Sequence, residues 1–264
     1  MSDIQLSLRG KVALIGGSSQ GIGWEVAKLF AQAGAQCILM ARNEEKLTER
    51  VQELNDISGN KHDYVVVDMS ETSALLKVLT PVFEQYTIDI LVNNSGGPAG
   101  GPLIEADPKA LEDAFAQHVL ANQVITSAVV PAMRKKHWGR IINIISTSVK
   151  APLTGLGVSN TIRAAVGNWA KTLANELGKD GITVNNVLPG ATSTTRLDEI
   201  INNRSQKQNV SYDVIAEKMQ GDIPIGRFAK PEEVAFAALY LASSWADSVN
   251  GINLPVDGGR TPNL

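Results

Sequence analysis

Residues 12–23 read VALIGGSSQGIG, and the fold is decided there. The first four residues are an apolar run of strand composition that stops at glycine. Gly17, Gly21 and Gly23 follow in a GxxxGxG spacing, with Ser18, Ser19 and Gln20 between the first two. Beyond them Ile22, Val26, Leu29, Phe30 and Ala33 fall on one face of a helix. The stretch predicts strand, tight turn and helix in succession. Glycine suits such a turn because the backbone angles exclude a Cβ, and because free N–H groups at the helix start then meet a phosphate closely. The turn expects a dinucleotide pyrophosphate against Gly17, Ser19, Gln20, Gly21, Ile22 and Gly23.

Working outward, strand-like and helix-like segments alternate to the end of the chain. Gly34 stops the first helix, CILM makes a second strand, and EEKLTERVQELN sets Leu47, Val51 and Leu54 on one helical face. DYVVVDM is a third strand, and a helix over 71–86 leads to a fourth, IDILV. A Gly- and Pro-rich loop covers 93–107, where Asp107 caps a helix with Pro108 at its first position. That helical pattern runs to about Met133, and RIINII is the fifth strand. A helix over 160–177 carries small residues, Ala164, Ala165 and Gly167 among them. ITVNNVL is the sixth strand, ending at Pro189-Gly190, and Pro231 opens a last helix before the strand INLPV. Residues 191–226 read as polar and aperiodic except around 212–219, a length that suits a mobile substrate lid. The expectation is one α/β domain over residues 1–264, a Rossmann fold whose doubly wound parallel sheet of about seven strands is covered by helices on both faces.

Composition narrows the function. Of 264 residues 44% are hydrophobic and 19% charged, enough apolar material for a sizeable core. A net charge of −3 with scattered basic residues gives no reason to expect nucleic acid or an anionic membrane as partner. The single cysteine, Cys37, lies in an apolar run and reads as a small buried hydrophobe. His62, His118 and His137 stand far apart, without partners at metal-ligand spacing, so no metal site is expected. MSDIQLSLRGK has no apolar core of signal-peptide type, and the longest uncharged apolar stretch, 119–133, contains Asn122, Gln123 and Pro131. A cytoplasmic protein is expected.

Several separate motifs carry a family resemblance. The GxxxGxG turn, the tetrad Asn93-Asn94-Ser95-Gly96 after IDILV, Pro189-Gly190 after GITVNNVL, and PEEVAFAALYLASS with VDGG resemble the short-chain dehydrogenase/reductase superfamily over nearly the whole chain. The resemblance implies that Asp68 contacts the adenine ring with Met69 beside it. It also implies that Asn94, Ser95 and Gly96 form the turn beside the cofactor ribose, with Ser95 replacing the usual alanine. Pro189, Gly190 and Thr194 match the PGxxxT segment that closes over the nicotinamide amide and the phosphates. Asn93 reads as a tie between strands. A homotetramer is implied as well, with the small-residue helix and the VDGG strand at subunit contacts.

The residue closing the second strand separates NAD from NADP, because a carboxylate there binds the ribose 2′-hydroxyl and repels a 2′-phosphate. Here the strand ends Met40-Ala41-Arg42, and a guanidinium matches a phosphate with a bidentate fork. Arg42 is read as the 2′-phosphate ligand and NADP(H) as the cofactor, although nothing at Gln20 adds a second positive charge.

The catalytic set departs from the family. Members usually carry Asn, Ser, Tyr and Lys, the last two as YxxxK on the helix after the fifth strand. Registering on GRIINIIS and on Pro131-Ala132-Met133 gives His118, Ser146, Ser159 and Arg163. None of Tyr64, Tyr86, Tyr212 and Tyr240 is followed by lysine four residues on, so no shift of register restores the motif. SNTIR resembles a divergent, oxoacyl-carrier-protein-reductase-like branch with Ser and Arg at these positions. Reduction of a carbonyl needs a proton for the developing alkoxide; a serine is a weak acid and Arg163, which could hold the nicotinamide ribose, stays charged. His118 is the first candidate donor because an imidazole titrates near neutral pH, followed by Tyr212 and then Lys150. Ser146 would orient the substrate, while Ser159 either passes a proton through water or leaves room. Two functions follow: an NADP(H)-dependent oxidoreductase on a small carbonyl or hydroxyl compound, and an NADP(H)-binding sensor or assembly subunit with little catalysis.

Overall fold

Aliphatic runs bounded by glycine and polar residues become strands where the periodicity places them. In the computed structural model, which describes residues 6–263, these are β1 (Val12–Gly16), β2 (Gln36–Ala41), β3 (Asp63–Val66), β4 (Ile90–Asn93), β5 (Gly139–Ile144), β6 (Ile182–Pro189) and β7 (Asn253–Val256). All pair in parallel in the order β3-β2-β1-β4-β5-β6-β7. The helices are α1 (Gly21–Gln32), α2 (Glu44–Ser58), α3 (Leu75–Gln85), α4 (Pro108–Phe115), α5 (Ala121–Lys136), α6 (Gly157–Leu177), α7 (Thr195–Gln208), α8 (Tyr212–Gly221) and α9 (Pro231–Ala242).

Successive strand residues face opposite sides of a sheet, so a parallel sheet with apolar runs needs two covers. Ala13 and Ile15 pack with Phe30 of α1, Leu47 of α2 and Val234 of α9. Leu14 turns the other way, into a core with Leu79 of α3, Ile125 of α5 and Ala170 of α6. The chain winds from β1 outward to β3, then returns to lay β4 on the other side of β1. That reversal opens a crevice at the carboxyl ends of β1 and β4, where doubly wound sheets take their ligands. Four asparagines tie the second half of the sheet at one level. Asn93 donates to Asn143 (2.8 Å), Asn143 to Asn186 (2.8 Å) and Asn186 to Asn253 (2.7 Å), one residue from each of β4 to β7. The strand-tying reading of Asn93 is therefore met by a ladder longer than a single pair.

Three segments differ from the periodicity. The helix expected over 71–86 begins only at Leu75, because Asp68 and Glu71 first close two turns with their carbonyls. The helix expected from Asp107 to Met133 is interrupted at 116–120 by one π-turn, which carries His118 and re-aims it inward. Residues 191–226 hold two helices rather than one short periodic patch. Thr194 caps α7, and Leu197 and Ile201 bury against Ile215 and Met219 of α8. With only two apolar contacts in fourteen residues, α7 shows too narrow a stripe to be seen by periodicity alone.

Candidate active site

The glycine turn is built to come close. A Cβ on Gly23 would sit 2.3 Å from the Gly17 carbonyl oxygen, and one on Gly17 would sit 2.7 Å from Asn94 Nδ2. Gly21 has φ +59, and a Cβ there would only touch Thr194 Cγ2 at 3.6 Å, so its need for glycine is conformational. Asn94 holds the turn by donating to the Gly16 carbonyl (3.1 Å), and Ser18 joins β1 to β2 by donating to Ile15 O (2.9 Å) and accepting from Met40 N (3.0 Å). Helix α1 opens without a side-chain cap at Gln20 and without an acid in its first turn. By contrast Asn43, Asp107, Thr194 and Ser211 cap α2, α4, α7 and α8. Uncapped N–H groups at a helix start attract an anion, so these residues fit a dinucleotide diphosphate.

Around this turn basic groups gather. Arg42, at the end of β2, is largely exposed and points toward Asp68 across 3.9 Å. Backbone and hydroxyl hydrogen bonds from Ser70, with Arg42 adding, hold the Asp68 carboxyl below its usual range despite some burial. Lys46 reaches Gln20 Oε1 at 3.3 Å, and Arg50 donates to the Ser19 carbonyl at 3.2 Å while stacking on Trp24. The expectation that no second positive charge stands at Gln20 is therefore corrected: α2 supplies one from Lys46, whose distance along the chain hid it. Met69 is buried beside Asp68. Gly190, next to Pro189 at the end of β6, packs so tightly on Asp257 that a Cβ would lie 2.7 Å from the Asp257 Cβ, and Thr194 stands beside Gly21 of the turn.

Beyond the glycine turn, Ser95, His118 and Arg163 meet one another. Ser95 Oγ lies 2.8 Å from His118 Nδ1, and the Ser95 carbonyl accepts from Arg163 Nη2 (3.4 Å). Arg163 also donates to Ile144 O (3.2 Å), at the end of β5 and two residues before Ser146. Ser159 stands one turn before Arg163 on α6, half-buried. Ser146 accepts from Ser148 N (3.1 Å) and leads off the short turn after β5. Gly96 lies in open space, its carbonyl taken by Gln117. The loop after β4 is pinned to the start of α6, where Gly101 donates to Gly155 O (2.8 Å) and accepts from Gly157 N (3.0 Å). Arg163 thus joins the Ser95 carbonyl to the end of β5, with His118 bonded to the Ser95 hydroxyl and Ser159 one turn away on α6, while Arg42 faces Asp68 beyond β2 and β3.

Electrostatics corrects the choice of acid. Burial, with the Arg163 charge adding, pushes His118 down to about 3, and its Nε2 is buried without a partner. An imidazole of this kind carries no spare proton at neutral pH, so the near-neutral titration expected of His118 does not hold. Tyr212 is exposed and donates to Asp198 (2.7 Å); that bond raises it above its ordinary value and turns it away. Lys150 is half-buried past the Ser146 turn, with its carbonyl accepting from Asn263. Arg163 is pushed down to about 10, first by burial and then by Arg196, and remains a cation. Arg196, in the first turn of α7, donates to the Pro98 carbonyl (2.9 Å). Neither Arg196 nor Lys46 stood out in the sequence, since each meets the crevice only through a distant loop or helix. Cys37 is fully buried, its thiol pushed up by burial. Among the described residues no His, Cys, Asp and Glu side chains gather as a metal site, and no helix is long and apolar enough to cross a membrane.

Comparison with known proteins agrees with this fold. A family model described as enoyl-(acyl carrier protein) reductase matches residues 17–261. The chain is 31% identical to a 3-oxoacyl-(acyl-carrier-protein) reductase of Chlamydia muridarum, over 96% of this chain and 98% of that one. It is 31% identical to a gluconate 5-dehydrogenase of Gluconobacter oxydans, over 98% and 97%. Among solved structures, L-sorbose reductase of Gluconobacter frateurii, complexed with NADPH and L-sorbose, superposes with a TM-score of 0.93 at 32% identity, covering 99% of this chain and all of that one. A parallel sheet with its glycine turn at the switch point, matched along almost its full length by such relatives, makes this chain a member of the short-chain dehydrogenase/reductase superfamily.

Proposed function

We propose that the protein is an NADP(H)-dependent oxidoreductase that interconverts a small carbonyl compound and its alcohol, in a single domain with α7 and α8 as the lid over the substrate. One observation carries the reading: an uncapped helix start above Gly21, flanked by Arg42 and Lys46, asks for a nucleotide with both a diphosphate and a further phosphate. NADPH-bound relatives support it. When bound, the reduced nicotinamide supplies a hydride equivalent. The chain's own residues do the rest. Arg42 and Lys46 neutralise the 2′-phosphate, Asp68 and Met69 border the adenine, and Pro189, Gly190 and Thr194 cover the nicotinamide end with Asn94, Ser95 and Gly96 beneath it. Arg163 orients the ribose, and Ser146 donates to the substrate oxygen. Ser159, exposed enough to meet water, relays a solvent proton to that oxygen.

Fluorescence titration tests the reading: wild type binds NADPH more tightly than NADH, and Arg42→Ala raises the NADPH Kd by about tenfold or more while leaving NADH unchanged. Equal affinities for the two nucleotides overturn it. A second reading, a sensor or assembly subunit with little catalysis, is favoured by the neutral, buried His118 and the outward Tyr212. Turnover across ketones, quinones and oxoacyl thioesters that collapses in Ser146→Ala supports the enzyme; tight NADPH binding with no turnover supports the second. The family's tetramer is part of the proposal. Phe236, Tyr240, Trp245 and Ile252 are exposed and β7 is an edge strand, and light scattering reports the state.

A further inference from the structure

Two guanidinium groups end on one short stretch of loop. Arg163 Nη2 reaches the Ser95 carbonyl at 3.4 Å, and Arg196 Nη2 reaches the Pro98 carbonyl, three residues on, at 2.9 Å. The first comes from α6 beneath the crevice and the second from α7 above it. Arg163 is 8% exposed, and among the described residues its hydrogen-bond partners are backbone carbonyls, with no carboxylate. Of the acids near Arg196, Glu199 lies 3.3 Å from its Nη1 and Asp198 is taken by Tyr212. Among the described residues no carboxylate lies within ion-pair distance of Arg163, and burial first, then the Arg196 charge, holds its guanidinium below the ordinary value.

A buried cation without a counter-ion, here Arg163, is a strongly unfavourable feature, and the half-exposed, Glu199-paired Arg196 on the same loop adds positive charge beside it. Ribose hydroxyls and backbone carbonyls satisfy hydrogen bonds but bring no negative charge. A guanidinium has five N–H donors, and the two recorded bonds of Arg163 leave three for other partners. We infer that the substrate is a carbonyl compound carrying a carboxylate close to the reacting carbon, the carboxylate lying between Arg163 and Arg196. The carboxylate has no covalent part in the reaction; it anchors the molecule so that its carbonyl faces Ser146. This rests on the oxidoreductase reading above.

Binding to the protein–NADP+ complex tests it without turnover, using two pairs of probes: oxamate against oxamide, and acetoacetate against methyl acetoacetate. In at least one pair the acid is expected to bind tenfold or more tightly than its neutral partner, and Arg196→Gln to remove most of that difference while leaving the NADPH Kd within twofold. Arg163→Lys, which keeps the buried charge, retains part of it. Equal binding of acid and neutral probe in both pairs, or no binding of any probe, overturns the inference. So does an Arg196→Gln variant that weakens NADPH instead, because the guanidinium would then serve the cofactor phosphates. Failure of wild type to bind NADPH at all is a separate outcome, and it defeats the underlying reading.

Discussion

The two ends of the crevice follow different rules. At the proposed nucleotide end the glycines, placed where a Cβ would strike backbone, and the bare helix start meet demands that any dinucleotide makes, while the cation after β2 meets one that only a 2′-phosphate makes. At the proposed substrate end the side chains answer one another instead, Ser95 joining His118 and Arg163. A backbone cradle tolerates little change because its fit is repulsive and short-ranged. A proton relay tolerates more, since water and several side chains can share the work.

That contrast is broken first at the turn. Gly23→Ala puts a methyl 2.3 Å from a carbonyl oxygen of the same turn, so NADPH binding is expected to vanish in titration, with a loss of about 3 kcal/mol in denaturant unfolding. Retained binding would mean that the cradle is not the determinant. Next in size, Ser159→Tyr combined with Arg163→Lys supplies a phenol beside an ammonium. Turnover of the best carbonyl substrate is expected to rise by ~10²-fold if proton supply limits the rate. No gain in steady-state kcat would show that the native relay already suffices.

His118 gives a smaller effect with a defined sign. Its folded value of about 3 lies below the ordinary 6.5, so the unfolded chain takes up a proton that the native state refuses. Stability that is complete above pH 6.5 is therefore lost as pH falls toward 3. Replacing His118 with Asn removes this group from the balance. Chemical unfolding from pH 6 to pH 5 is expected to cost wild type roughly 1 kcal/mol more than the variant, one proton per pH unit being worth ~1.4 kcal/mol. His62, also lowered by burial, contributes in the same direction to both proteins and cancels in the comparison. Parallel pH profiles would contradict the buried, neutral assignment. The smallest change is at Lys46, where alanine should weaken NADPH about threefold and leave NADH alone, as expected of a partly solvated charge.

Much of the nucleotide end was legible because its signals are local. Gly17, Gly21 and Gly23 sit within seven residues, and Arg42 is marked by the end of an apolar run. Lys46 was missed because a helix brings it back to Gln20 across 26 residues of chain. The substrate end was legible as an inventory, Ser146, Ser159, Arg163 and His118, but not as chemistry. An imidazole is a neutral-pH acid in water; burial against Arg163 makes it an inert base, and no pattern in the sequence states that neighbour.

By itself the sequence determined the parallel sheet of about seven strands, the glycine turn after β1 and the cation that follows β2, because these depend on spacing, backbone freedom and the pattern of apolar residues. Tertiary structure alone decided the π-turn that carries the buried His118, the packing of α7 on α8, and the approach of Arg196 to Arg163. Those outcomes depend on desolvation and charge between groups far apart in the chain, and such energies exist only once the packing that creates them is formed.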